Sequence, residues 1–218
     1  MLNFRLPERS GERYNLLCLG SHCDDIEIGC GGTVLHLLDR YPKANVYWVV
    51  FSSDKQRAAE ARAAAAVFLK GAKSKKVVVK NYRDAFFPAL GKRIKEDFEK
   101  LKREFQPDVI FTHYRHDLHQ DHRTVCELTW NTFRNHLILE YEIPKYDGDF
   151  GTPNFFVPLE ESVCRRKIDA VVNSFVSQQK KHWFEEQTFF ATLRLRGLEC
   201  ASPTRYAEAF YCRKLVLA

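Results

Sequence analysis

Two short segments concentrate side chains that can do chemistry. In residues 20–32, Gly-Ser-His-Cys-Asp-Asp-Ile-Glu-Ile-Gly-Cys-Gly-Gly, the groups His22, Asp24, Asp25 and Glu27 fall within six positions. In residues 113–122, His113, His116, His119 and His122 make up half of the eight histidines, with Asp117 and Asp121 among them. Imidazole and carboxylate together suit Zn2+, and a catalytic zinc site takes three protein ligands and keeps one position for water. The first segment cannot readily supply all three ligands, so the second would supply the third. Adjacent carboxylates can divide the work, one on the metal and one free as a base, because neighbouring side chains point different ways. A plainer reading competes: the Asp-Asp pair as a turn or helix cap in a Gly-rich turn, with the histidine merely hydrogen-bonded. The glycine run at 29–32 also suggests a phosphate cradle, yet it fits neither GxGxxG nor GxxxxGK[ST].

The elements that must position these groups are legible as an alternation. Residues 14–19, 46–51, 76–79 and 109–112 are short apolar runs rich in β-branched and aromatic residues, as buried strands are. Helical patterns occupy 32–40 before Pro42, 55–69 before Gly71, and 91–105 before Pro107. The alternation predicts a Rossmann-like α/β fold: a mostly parallel sheet, helices on both faces, and an active site at the carboxyl ends of the strands. Both polar segments directly follow a predicted strand and so meet at the same sheet edge, which favours the metal reading. Downstream, a helix runs from 121 or 123 to about 135, with Thr124 and Glu127 as a capping box. Strands at 137–143 and 155–157 flank a loop, 144–153, whose Tyr146, Asp147 and Asp149 are placed for a substrate lid. A helix from 160 to about 184 and a strand at 209–216 follow. No repeat or linker interrupts the pattern, so one domain is expected over 1–218.

Composition narrows the function. The formal charge of +6 in 218 residues could steer an acidic substrate. The basic residues Lys92, Arg93, Lys95, Lys100, Lys102 and Arg103 alternate with acids on a helical pattern, as on a solvated face, and aromatics are not interleaved with them. A nucleic-acid partner is therefore not expected. No apolar run approaches the roughly 20 residues of a membrane span, and the first residues lack the apolar core of a secretory signal. Seven cysteines with no CxxC pair argue against a disulfide framework and a zinc finger, and point to the cytoplasm. Trp130, Phe133, Phe155 and Phe156 are interface candidates if they lie outside the core; the oligomeric state is open.

The paired motifs, His22-Cys-Asp24-Asp25 with the glycines of 29–33 and Asp117-Leu-His119-Gln-Asp121-His122, resemble those of the LmbE-like (PIG-L) zinc-dependent de-N-acetylases. The resemblance extends to Arg57-Ala-Ala-Glu60 and Tyr206-Ala-Glu-Ala-Phe210 and so covers nearly the whole chain. It implies that His22, Asp25 and His122 bind Zn2+ and that Asp24 is the general base. It further implies that His119 polarises the substrate carbonyl or protonates the leaving amine, that Asp121 tunes His119 toward its charged form, and that Arg57 contacts substrate. The implied substrate is a small-molecule N-acetylated amino sugar, an N-acetylglucosamine-type conjugate of unspecified carrier. The chain departs from the pattern at Cys23, where the family usually has Pro, and at Ile26, where many members have Glu. Cys23 reads as a small buried residue rather than a ligand, and His113 and His116 read as structural or solvated. The competing functions are a hydrolase of a different small amide and a non-catalytic zinc-binding module; the module has no use for a free Asp24 or for His119. A phosphodiesterase would need two metals.

Overall fold

Side chains of the central strands alternate between two apolar layers, as a sheet covered on both faces requires. In β1 (Asn15–Gly20), Leu16 and Cys18 enter one layer while Leu17 and Leu19 enter the other. The structure is a computed structural model that describes residues 1–7 and 13–216. After β1 come α1 (Asp25–Arg40), β2 (Asn45–Val50), α2 (Lys55–Phe68), β3 (Ser74–Val79), α3 (Phe87–Glu104), β4 (Val109–His113) and α4 (Gln120–Thr132). The chain continues through β5 (Leu137–Tyr141), β6 (Phe155–Leu159), α5 (Glu161–Ser174), a 3-10 turn (Val176–Gln178), α6 (Glu186–Glu199) and β7 (Tyr206–Cys212).

The strands form one sheet in the order β3-β2-β1-β4-β5-β7-β6. The β3-β2-β1-β4-β5 stretch is parallel, and β7 runs antiparallel to both β5 and β6. The fold is thus α/β with a mostly parallel sheet and helices on both sides. Strand order reverses at β1, which has β2 on one side and β4 on the other. The chain leaves the carboxyl ends of β1 and β4 in opposite directions, and the crevice this opens is where such sheets hold ligands.

Several boundaries differ from the sequence expectation, each for a packing reason. The segment 20–32, expected as a loop, is helical from Asp25 onward. Its glycines serve contact rather than turning: a Cβ on Gly29 would strike the Tyr141 ring, and one on Gly31 would sit 2.5 Å from Phe68 Cε1. Close approach of helix to sheet and to α2 outweighs the roughly 1 kcal/mol that glycine costs inside a helix. The helix expected from 91 begins at Phe87, and its buried stripe Phe87, Ile94, Phe98 and Leu101 covers one sheet face. The capping box at Thr124 and Glu127 is not formed; His119 is the N-cap of α4, and Thr124 Oγ1 donates to Gln120 O at 2.9 Å inside the helix. The long helix expected over 160–184 ends at Ser174, and α6 was not expected at all. The last strand is β7, ending at Cys212 rather than 216.

The Tyr206–Cys212 strand also locks α1 in place. Glu208 accepts hydrogen bonds from Gly32 N at 2.8 Å and Thr33 N at 2.6 Å. Lys167 Nζ bridges Glu208 Oε1 and Ile28 O, each at 2.6 Å. All of these groups are buried. Removing one partner from such a buried pair typically costs about 3–5 kcal/mol, because the other charge is left buried and unpaired.

Candidate metal centre and catalytic cleft

The turn Ser21–His22–Cys23–Asp24 leaves β1 beside β4, and the start of α4 comes in from the other side of the crevice. Three donor atoms converge there. His22 Nδ1 is 3.1 Å from His122 Nε2 and 3.4 Å from Asp25 Oδ2, and the last two are 3.6 Å apart. Donors 2.0–2.2 Å from a tetrahedral ion lie about 3.3–3.6 Å from one another. Two edges match that spacing and the His22–His122 edge of 3.1 Å is slightly short of it, so the triangle is close to what one Zn2+ takes. Asp24, next in the chain to Asp25, points elsewhere: its Oδ1 accepts Arg57 Nη2 at 2.6 Å. Arg57 stands in the first turn of α2, whose N-cap Asp54 accepts the Arg57 N–H at 2.8 Å.

Each histidine nitrogen facing away from the triangle is held by a carboxylate. His122 Nδ1 lies 2.9 Å from Asp117 Oδ2, and Lys145 Nζ donates to that same oxygen at 3.1 Å. His22 Nε2 lies 3.0 Å from Asp84 Oδ1 and 3.4 Å from Asp121 Oδ2. Carboxylates in this position fix ring orientation and raise ligand basicity. Asp121 also accepts Ala85 N at 2.7 Å and Phe87 N at 3.1 Å, so it builds the turn that presents Asp84. Ala85 sits at φ 66°, in the left-handed region that non-glycine residues enter at a cost of about 1–2 kcal/mol.

The charge balance suits a cation. Burial pushes His122 down to about 4, with the neighbouring His113 adding to it, so its imidazole is neutral as a metal ligand must be. Burial pushes the Asp25 carboxyl up, but the three imidazoles facing it hold it well below the usual range. Burial works against a charge on His22, yet Asp25, Asp121 and Asp84 outweigh it and raise this group well above its ordinary value. The surrounding carboxylates thus call for positive charge at this point.

Some residues stand differently from the sequence reading. Asp121 pulls His119 toward its charged form as expected, yet the net shift runs the other way. Burial, followed by the charge of His22, pushes His119 below its ordinary value, and the opposing pull of Asp121 does not overcome them. As N-cap, His119 Nδ1 accepts the Asp121 N–H at 3.2 Å. His113, read as purely structural, is fully buried inside the cluster. Its Nε2 accepts the Ser21 N–H at 2.9 Å and lies 3.2 Å from Asp25 Oδ2, and its ring stacks on His122 at 3.9 Å. Asp84, Asp117 and Lys145 went without assigned roles in the sequence reading; Asp117 alone lay in a visible motif. Cys23 is buried, its thiol pushed up to about 12 by burial, and its Sγ donates to Ser52 O at 3.3 Å. His116 is exposed. Phe133 is buried in the core and so is not available to an interface.

The donor triangle lies in a cleft of about 250 Å³, which Arg57, His119, Tyr146, Asp147, Lys181 and Trp183 also line. Of the residues expected in a lid, Tyr146 and Asp147 face this cleft. Asp149 instead binds Lys145 at 2.5 Å and accepts the Leu118 N–H at 2.7 Å.

Residues 17–133, more than half the chain, match the family model PIG-L, GlcNAc-PI de-N-acetylase. Solved structures share the fold. A conserved protein from Thermus thermophilus aligns with a TM-score of 0.73 at 18% identity, covering 93% of this chain and 96% of that one. N,N'-diacetylchitobiose deacetylase from Pyrococcus horikoshii aligns with a TM-score of 0.67 at 21% identity, covering 92% and 84%. A 4-carboxy-2-hydroxymuconate hydratase from Pseudomonas putida aligns with a TM-score of 0.67 at 17% identity, covering 94% and 98%. The fold alone therefore does not select a reaction.

Proposed function

The chain belongs to the PIG-L, GlcNAc-PI de-N-acetylase family, and from that premise we propose that it hydrolyses the N-acetyl group of an N-acetylated amino sugar. The substrate is a small N-acetylglucosamine-type conjugate, and one domain spanning 1–218 carries the reaction. The observation behind this reading is the triangle of His22 Nδ1, Asp25 Oδ2 and His122 Nε2, with edges of 3.1–3.6 Å, beside a carboxylate that is turned off it. These three residues hold the metal, read here as Zn2+, which when bound lowers the pKa of water to about 7 and polarises an acyl oxygen.

The remaining steps belong to the chain's own groups. Arg57 grips Asp24 Oδ1 and leaves Oδ2 to accept the proton of the attacking water, a step typically worth about 10²–10⁴-fold. His119 acts as a neutral donor. With Nδ1 accepting the Asp121 N–H, its proton sits on Nε2, available to the carbonyl oxygen of the scissile amide as charge develops there. This differs from an imidazolium role, which would cost α4 its cap. Asp121 and Asp117 are positioning residues, acting through His22 and His122. Arg57 acts on substrate chiefly through Asp24.

The cysteines of the described residues are all free, which fits a reducing compartment such as the cytoplasm. Among the described residues, no helix is long and apolar enough to cross a membrane. The test is acetate release from N-acetylglucosamine conjugates by zinc-loaded protein, with the free amine measured alongside. Bound zinc without acetate from any such conjugate would favour a binding module; acetate from unrelated small amides alone would move the substrate class.

A further inference from the structure

A second hollow, about 420 Å³, adjoins the catalytic cleft between α6 and the loop from β5 to β6. Lys145 and Trp183 line both, so the two are neighbours across a shared wall. The chemistry changes across that wall. Ionisable groups dominate the cleft, whereas the hollow is walled by Pro144, Phe150, Trp183, Ala191 and Leu195. The hollow's own charges, Lys145 and Asp149, neutralise each other, with Lys145 Nζ 2.5 and 2.6 Å from the two Asp149 oxygens. Phe150 and Leu195 are 42% and 44% exposed. Phe150 has a partner on one face, the Arg196 guanidinium 5.5 Å from its ring centroid, itself tied to Glu142 at 2.6 Å. The fold thus holds apolar surface beside the reaction centre without covering it, as ligand subsites do.

We propose that this hollow is the subsite for an apolar aglycone, alkyl or aryl, carried by the amino-sugar substrate. The proposal rests on the deacetylase reading, with the sugar in the cleft and the aglycone passing the Lys145–Trp183 wall. A buried methylene is worth about fourfold in affinity, so even partial burial of a short chain is measurable.

The experiment compares methyl and hexyl N-acetyl-β-glucosaminides on the zinc-loaded full chain, by acetate release and by calorimetric binding. The hexyl-to-methyl ratio is expected to be about tenfold or more in kcat/KM and in affinity. In Leu195→Glu, and in Ala191→Glu at another exposed position of α6, that ratio is expected to fall to within about twofold of unity. Equal values for the two glycosides in the unaltered protein overturn the proposal, as does a ratio that survives both substitutions. If a second copy of the chain fills the hollow instead, the substitutions change the mass in solution and leave the ratio intact. If neither glycoside releases acetate but the affinity ratio behaves as stated, the hollow stands and the reaction reading falls. No acetate and no affinity ratio overturn both.

Discussion

Asp117 Oδ2 lies 2.9 Å from His122 Nδ1, which turns the other nitrogen of that ring toward His22 and Asp25. A carboxylate in this position sets the histidine's tautomer, and losing it typically lowers metal affinity about 10–100-fold. Asp117→Asn is therefore expected to weaken zinc binding by about that factor while the fold is kept, as read by competition with a chelator. Lys145, 3.1 Å from the same oxygen, is expected to contribute less, because its Nζ is also shared with Asp149. Unchanged affinity in Asp117→Asn would show that Asp117 does not tune the metal site.

His119 caps α4 through Nδ1, and the proposed mechanism gives it a second, separable role as donor through Nε2. Asn is among the best N-cap residues, whereas Ala loses about 1 kcal/mol there. His119→Ala is expected to lose both stability and rate. His119→Asn is expected to regain the stability in a urea titration while turnover stays about 10²–10³-fold down, the usual loss for one oxyanion donor. Full rate in both variants would show that the residue only caps α4.

Gly29 faces the ring of Tyr141, whose hydroxyl donates to Leu19 O at 2.6 Å at the end of β1. Gly29→Ala gains helix propensity, about 1 kcal/mol, yet forces a methyl into that ring. Overpacking of this kind costs about 1–3 kcal/mol, so a net loss of stability is expected, with a lower midpoint in denaturant. An increase would mean that the ring moves aside freely.

The sheet and the paired loops were legible because their signals are local. Apolar runs such as 46–51 read as strands, and two polar segments after strands must meet if those strands are adjacent. That logic links His22 to His122 across a hundred residues, and the two nitrogens lie 3.1 Å apart. Other features depend on contacts that sequence does not display. The glycines at 29, 31 and 32 look like a loop until Tyr141 and Phe68 are placed against α1. Asp84 sits in no motif, and contacts from the start of α4 bring it to His22: Asp121 to Ala85 N and Phe87 N, and Gln120 Nε2 to Ala85 O. Residues 160–186 contain neither glycine nor proline, so nothing marks the break after Ser174. Glu60 of α2 helps fix that break, accepting both Ser177 N at 3.0 Å and Ser177 Oγ at 2.6 Å. His113 ends a hydrophobic strand, and its place beneath Asp25 follows from the β1–β4 pairing.

The proposed division of labour between the adjacent carboxylates Asp24 and Asp25 is tested by one paired assay. Zinc content and acetate release are measured on the same samples of the unaltered protein, Asp24→Asn and Asp25→Asn, with an N-acetylglucosamine conjugate as substrate. The expected result is one zinc and active turnover in the unaltered protein. Asp24→Asn should keep one zinc with turnover reduced about 10²–10⁴-fold, and Asp25→Asn should hold little zinc. Loss of zinc from Asp24→Asn with retention in Asp25→Asn, or full turnover in Asp24→Asn, would contradict the assignment.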